Sequence, residues 1–90
     1  MADTDWDETE AVLRALLAET LGLPPARIAS FTEGSELFGA LPEMDSMAVA
    51  TLLTGIEERF AMLIEDHDVE AEDFATFGTL LAFVRRKVLA

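Results

Sequence analysis

Hydrophobic residues recur at helical spacing in three separate segments of the chain. A residue on the core-facing side of an α-helix is followed by others three, four and seven positions later. The stripes that follow this rule are Trp6, Leu13, Leu16, Leu17, Thr20 and Leu21; Val49, Leu52, Leu53, Ile56 and Phe60; and Phe77, Leu80, Leu81, Val84 and Val88. They predict three long helices. No stretch of useful length alternates in the manner of a β-strand.

Local signals set the ends of the first helix, which we predict from about Trp6 to Leu21. Thr4 or Asp5 is a suitable residue to cap its start. Gly22 suits the position just past its end, where a left-handed backbone is common. The two prolines at 24–25 then prevent the helix from continuing.

The second long helix is predicted from Ser46 to about Phe60 and the last one from Thr76 or Phe77 to about Leu89. Gly55 lies inside the second helix, where glycine costs about 1 kcal/mol relative to alanine. A close crossing with another helix would explain its presence.

Residues 23–45 form a long connection in which no helical period holds. Prolines and glycines interrupt it repeatedly. Loops of this length in small domains are usually functional or disordered. Five apolar residues argue against disorder and are expected to pin the connection to the core: Ile28, Phe31, Leu37, Phe38 and Leu41.

The acidic segment 65–73 is expected to hold a short turn or one-turn helix, with Val69 and Phe74 facing inward. It does not encode an EF-hand calcium loop. A loop beginning at Asp66 would need glycine at its sixth position and glutamate at its twelfth, and Ala71 and Phe77 stand there. We expect no metal site in this segment.

Composition excludes several classes of function. The chain has 90 residues, 51% of them hydrophobic, so it can bury one small core, and we predict a single domain over residues 1–90. It has 18 acidic and 6 basic residues and a formal charge of -12, which disfavours nucleic acids and anionic membranes and favours partners with basic patches. It has no cysteine, no apolar run of about 20 residues and no basic, apolar leader. We expect a cytoplasmic monomer.

Ser46 is the candidate site for covalent chemistry. It stands at the predicted start of a helix, after Asp45 and before Met47, a large apolar residue that lies off the core-facing stripe. Both Asp45 and Ser46 are favoured helix caps, which is the simplest interpretation. A hydroxyl there also lies near free N–H groups that would stabilise a phosphodiester. The single histidine, His67, lies in the acidic segment, so Ser46 lacks a base, and we expect an acceptor that another enzyme modifies rather than a catalytic residue.

The sequence also predicts a partner-binding surface. Met44 and Met47 flank Ser46 and offer flexible apolar contacts. Glu57 and Glu58 lie off the core-facing stripe and are expected to face water. The simpler interpretation of the two glutamates is a solvated helix face.

With these residues in view, the chain resembles the acyl carrier protein family over nearly its whole length. The resemblance rests mainly on Leu37-Phe38 followed by Asp45-Ser46-Met47. The family typically shows Leu-Phe, a short acidic or glycine-bearing stretch, and Asp-Ser-Leu. Glu57-Glu58-Arg59-Phe60 resembles the acidic end of the family's second helix, and residues 74–80 resemble its link from a short third helix to the fourth.

The resemblance implies an all-α fold, a small four-helix bundle with a long loop between helices 1 and 2 and a short third helix. It implies that Ser46 receives 4′-phosphopantetheine from coenzyme A through a magnesium-dependent phosphopantetheinyl transferase, with Asp45 and Met47 as flanking motif residues. The thiol of the arm would carry an acyl group as a thioester to acyl-transferring or synthase enzymes. The chain would then be a carrier and not an enzyme.

The chain departs from the family pattern just before the motif, where Leu41-Pro42-Glu43-Met44 replaces the usual glycine. Residues 41–49 are similar to standalone carriers associated with bacterial exosortase and exopolysaccharide gene clusters, which favours a dedicated lipid, polyketide or exopolysaccharide-related pathway. Two alternatives stay open: an aminoacyl or peptidyl carrier, and an unmodified acidic interaction module whose helix is capped at Ser46. Hydrolysis by Ser46 would need a base and a third orienting group.

Overall fold

The computed structural model describes residues 7–89, and of Leu89 it describes the backbone only. Its α-helices are α1 (Glu8–Leu21), α2 (Pro25–Ala29), α3 (Ser46–Phe60) and α4 (Phe77–Leu89). Two single 3-10 turns, Asp66–Asp68 and Ala71–Phe74, lie between α3 and α4. The predicted all-α fold is confirmed, with a long connection between the first two long helices and a short helical segment before the last one.

The bounds of α3 and α4 agree with the prediction, whereas α1 begins later than predicted. Its N-cap is Asp7, whose carboxylate accepts a hydrogen bond from the Glu10 N–H at 2.8 Å. The predicted caps Thr4 and Asp5 and the predicted first residue Trp6 lie outside the described residues. The prediction failed because several residues in this acidic stretch have the chemistry of a cap. At the other end Gly22 has φ 69°, as expected for a left-handed cap.

The core lies between α1, α3 and α4. Leu13 and Leu17 of α1 and Leu52 and Ile56 of α3 are fully buried. The crossing expected at Gly55 is present, because a Cβ at that position would lie 3.0 Å from Cδ2 of Leu16. Glycine therefore lets α3 approach α1 closely.

The inner face of α4 differs from the prediction at two positions. Val88 is 39% exposed, because the last turn of α4 extends past the core. Phe83 is fully buried although the predicted stripe omits it. It lies three residues after Leu80, so α4 buries a wider face than a single stripe. None of the helices between residues 7 and 89 is long and apolar enough to cross a lipid bilayer.

Arg14 of α1 fastens the first half of the long connection. Its buried guanidinium donates hydrogen bonds to the carbonyl oxygens of Ile28 (2.6 Å) and Phe31 (2.9 Å). The side chains of Ile28 and Phe31 are themselves buried, as predicted. Helix α2 was not predicted, because a helix of five residues shows no repeat.

Backbone hydrogen bonds fasten the second half of the connection to the segment that leads into α4. The N–H of Leu37 donates to the Ala75 oxygen and that of Phe38 to the Phe74 oxygen, both at 2.9 Å. On the other side, the Gly78 N–H donates to the Glu33 oxygen at 2.9 Å. This pairing places Phe38 beside the second 3-10 turn and close to the start of α3.

Candidate functional site

Ser46 is the first helical residue of α3, and Asp45, not Ser46, caps the helix. The Asp45 backbone is extended, and its Oδ1 accepts a hydrogen bond from the Ala48 N–H at 2.8 Å. Ser46 is exposed, and within residues 7–89 its hydroxyl makes no hydrogen bond. Because its neighbour supplies the cap, the hydroxyl is available for chemistry.

The start of α3 suits a negatively charged group on Ser46. The first N–H groups of a helix have no partner inside it, and together they give this end a partial positive charge. Asp45 satisfies the Ala48 N–H, while those of Ser46 and Met47 stay open within the described part of the chain. A phosphate ester on the hydroxyl would lie next to these donors.

No base is positioned to make Ser46 a nucleophile on its own. His67 belongs to the first 3-10 turn, and its side chain is exposed, 3.7 Å from Glu65 and 3.6 Å from Asp68. Among the described side chains, none is hydrogen-bonded to the Ser46 hydroxyl. The arrangement fits a residue that accepts a group from another enzyme.

An apolar groove of about 260 Å³ begins at Ser46. One wall is α3, with Val49 and Leu53, and the other is the segment of the second 3-10 turn. Its lining consists of Phe38, Ser46, Val49, Leu53, Val69, Glu70, Ala71 and Phe74. A groove of this character suits an alkyl chain better than a polar ligand.

Phe38 is a site residue that the sequence pattern misplaces. As a core anchor it should be buried, but its side chain is 47% exposed at the groove. Leu37, directly before it, is fully buried. The chain turns directly after Leu37, whose carbonyl oxygen accepts the N–H groups of Ala40 (3.1 Å) and Leu41 (2.9 Å). Phe38 therefore lies in the turn, while Leu37 faces the core. The signal that could have shown this is Gly39, which directly follows Phe38 and marks a turn.

The acidic segment 65–73 serves to hold the groove wall. The Asp68 carboxylate accepts the Glu65 N–H at 3.0 Å, and the Asp73 carboxylate accepts the Glu70 N–H at 2.9 Å. Lys87 of α4 pairs with Asp68 at 2.9 Å. The hydrogen bond from the Glu65 amide, followed by that from Lys87, holds the pKa of Asp68 below its usual value. In residues 7–89, no three histidine, aspartate or glutamate side chains come close enough together to hold a metal ion.

The structure separates the predicted partner-binding residues. Met47 is 76% exposed beside Ser46, as predicted. Met44 is only 3% exposed, so its predicted place on a contact surface is wrong: the turn before α3 directs it into the core.

The two predicted glutamates of α3 differ in exposure and in their distance from Ser46. Glu57 is half-buried, and one of its carboxylate oxygens accepts the Ile64 N–H at 2.8 Å. Glu58 is exposed but lies twelve residues after Ser46, about 18 Å along the helix axis.

Fold and site together define a class of protein: a small helical domain that presents an exposed serine at a helix start, beside an apolar groove. A family model described as "Phosphopantetheine attachment site" matches residues 11–86. The chain belongs to this family, the phosphopantetheine-binding acyl carrier proteins.

A solved structure supports the same assignment. The chain is similar to the holo acyl carrier protein of Nitrosomonas europaea, determined by solution NMR, with 36% sequence identity and a TM-score of 0.81. The match covers 94% of this chain and 100% of the other. No curated protein matches the chain.

Membership in the family establishes the cofactor, 4′-phosphopantetheine, which is covalently attached. The exposed Ser46 hydroxyl and the open N–H groups of Ser46 and Met47 fit the phosphate end of this group. Proteins of this family are carriers that work with phosphopantetheinyl transferases and with enzymes that handle acyl groups.

Proposed function

We propose that Ser46 is the attachment residue and that the chain carries acyl groups as thioesters in a dedicated lipid, polyketide or exopolysaccharide-related pathway. The observation that carries the proposal is the exposed, unbonded hydroxyl at the first position of α3, next to an Asp45 that caps the helix in its place. Both comparisons support a covalently attached phosphopantetheine arm. The exposed position of Ser46 at the start of α3 supports this residue as the point of attachment.

Ser46 acts as the acceptor in the transfer from coenzyme A. Its Oγ forms a bond to the phosphorus that carries the pantetheine, the phosphoanhydride bond of coenzyme A breaks, and 3′,5′-ADP leaves. The hydroxyl proton passes to a base of the transferase, because His67 lies elsewhere and the hydroxyl has no hydrogen-bonded base in residues 7–89. The N–H groups of Ser46 and Met47 then face the charge of the new phosphodiester.

When attached, the arm supplies a thiol that holds the acyl group as a thioester. The chain itself contains no cysteine that could compete for the cargo. The groove between α3 and the second 3-10 turn offers an apolar shelter that begins at the attachment residue. Burial of alkyl carbon there stabilises the loaded carrier by about 0.8 kcal/mol per methylene.

Partner enzymes meet Ser46 through the exposed start of α3. Met47 is the large apolar side chain next to the attachment residue and offers a flexible contact. The charge of -12 attracts partners with basic patches at long range, and more strongly at low salt. A monomer in the cytoplasm, where coenzyme A is available, completes the proposal.

The experiment is modification in vitro. Unmodified protein is incubated with coenzyme A, magnesium and a phosphopantetheinyl transferase of broad specificity, and the intact mass is measured. One phosphopantetheine is expected, and fragmentation should place it on Ser46. The variant Ser46→Ala should gain nothing, while the matched variant Ser35→Ala, in the long connection, should be modified like the wild type. An arm on another residue would contradict the proposed site.

A further inference from the structure

Two cavities meet at Ser46, and the side chain of Phe38 lines both of them. The inner one is the apolar groove of about 260 Å³. The outer one measures about 530 Å³ and is lined by the loop that precedes α3, namely residues 39–42 with Met44 and Asp45. Phe38 and Ser46 are the two residues that the linings share.

Hydrogen bonds and a turn hold the backbone on both sides of Phe38 in place. The Phe38 N–H donates to the Phe74 oxygen and the Leu37 N–H to the Ala75 oxygen, both at 2.9 Å. Directly after Phe38 the chain turns at Gly39, whose φ of 92° is a conformation that glycine adopts readily. The hydrogen-bonded backbone therefore places Phe38 at the boundary between the cavities, where it lines both of them.

We infer that Phe38 is a specificity-determining residue of the carrier: its ring separates the two cavities and sets the length of acyl chain that the inner groove shelters beside Ser46. This inference rests on the proposed function. A water molecule occupies about 30 Å³ and a methylene is of similar size, so the inner groove holds about eight or nine non-hydrogen atoms. The cargo class that fits is a medium-length saturated acyl chain of about that size.

Removal of the Phe38 ring should increase the length of acyl chain that the protein shelters. In Phe38→Ala the partition becomes a methyl group, and the inner groove and the outer cavity join. Acyl carbons beyond the number that the wild-type groove holds are then covered by the loop of residues 39–42. In the wild type these carbons project into water. Phe38→Leu keeps a branched apolar side chain, so the sheltered chain length should stay close to that of the wild type.

The experiment uses the full-length protein loaded at Ser46 with saturated acyl-phosphopantetheine from the corresponding acyl-coenzyme A, in a series from butanoyl through octanoyl and dodecanoyl to hexadecanoyl. Intact mass confirms loading. Two quantities are then followed: the methyl chemical shifts of Val49, Leu53 and Val69, which line the groove, and the rate at which hydroxylamine cleaves the thioester. Leu63→Ala is the matched control, because Leu63 is 68% exposed and lines neither cavity.

In the wild type and in Leu63→Ala, the methyl shifts and the protection from hydroxylamine should increase up to octanoyl and then level off. In Phe38→Ala both should continue to increase through dodecanoyl, and Phe38→Leu should follow the wild type. Identical chain-length profiles in loaded wild type and loaded Phe38→Ala would overturn the role of Phe38. Methyl shifts that respond to no chain in any variant would overturn it as well. An arm that never appears on Ser46 would instead refute the proposed function, a failure that the mass alone reveals.

Discussion

The guanidinium carbon of Arg14 lies 4.5 Å from the centroid of the Phe77 ring, in the centre of a domain whose surface is strongly acidic. A buried cation over an aromatic face is favourable when water is excluded. The same guanidinium donates to the carbonyl oxygens of Ile28 and Phe31 and pairs with Glu10 at 2.8 Å. One side chain therefore joins α1, the long connection and the start of α4.

Substitution of Arg14 by methionine should lower the free energy of unfolding by about 2–4 kcal/mol. The substitution leaves the buried Phe31 oxygen without its Arg14 donor, and the Ile28 oxygen keeps the weaker hydrogen bond from the Phe31 N–H at 3.2 Å. Urea denaturation followed by circular dichroism measures the change. Arg59→Met is the matched control: its pair with Glu19 is exposed, and its loss should cost less than about 1 kcal/mol. Equal losses in the two variants would show that the contacts of Arg14 do not hold the domain together.

Gly78→Ala should destabilise the protein although alanine favours helices. A Cβ at position 78 would lie 2.8 Å from the carbonyl oxygen of Glu33, and that atom belongs to the backbone and cannot simply rotate away. Crowding of this kind costs about 1–3 kcal/mol. Gly34→Ala is the control, because a Cβ there meets nothing within 4 Å. A Gly78→Ala variant as stable as Gly34→Ala in thermal denaturation would contradict the close approach.

The stability supplied by Asp68 should depend on pH. Its pKa is lowered from 3.8 because its carboxylate accepts the Glu65 N–H and pairs with Lys87. A carboxylate whose pKa is lower in the folded state stabilises the fold at pH values above the unfolded pKa, and this contribution is lost as the pH falls through the folded pKa. Asp68→Asn should therefore be less stable than the wild type at neutral pH.

The difference between Asp68→Asn and the wild type should shrink as the pH falls below 3.8 and disappear once Asp68 is protonated in both states. Urea denaturation at a series of pH values measures this. Asp66→Asn removes an equal charge from an exposed position two residues away and corrects for the general self-repulsion of an acidic protein. A gap of constant size at all pH values would exclude the ion pair and hydrogen bond as its cause.

Met47→Ala should reduce the efficiency of modification by a phosphopantetheinyl transferase, kcat/KM, by about tenfold, a typical effect of removing an apolar contact near the centre of an interface. Glu58→Gln should change the same constant less than twofold at moderate salt, because Glu58 lies far along α3 from Ser46. The melting temperatures of both variants should match that of the wild type. A larger effect of Glu58→Gln than of Met47→Ala would reverse our assignment of the contact surface.

The two helices whose bounds the sequence predicts correctly, α3 and α4, are those with a strong hydrophobic repeat. The bounds of α3 and α4 follow from such repeats, and the resemblance to carriers is the basis for proposing Ser46 as the attachment residue. The start of α1 could not be predicted from the sequence, because Thr4, Asp5 and Asp7 all have side chains that can cap a helix, and the structure shows Asp7 in that position.

What the sequence could not show are relationships across the fold. Arg14 looks like a surface residue, and its burial depends on carbonyl groups 14 and 17 residues away. Met44 and Phe38 exchange their expected roles: the methionine enters the core, while the phenylalanine faces the groove. The position of Phe38 depends on the pairing of the long connection with the segment before α4, and that of Met44 on the turn before α3, and neither leaves a periodic signal.

We propose that the Ser46 hydroxyl carries the phosphopantetheine arm in the cell. The most direct test is the intact mass of the protein purified from its native host, followed by fragmentation to locate any added group. We predict one phosphopantetheine, free or acylated, on Ser46 and on no other residue. Native protein of unmodified mass, or an arm attached at a different side chain, would contradict the account.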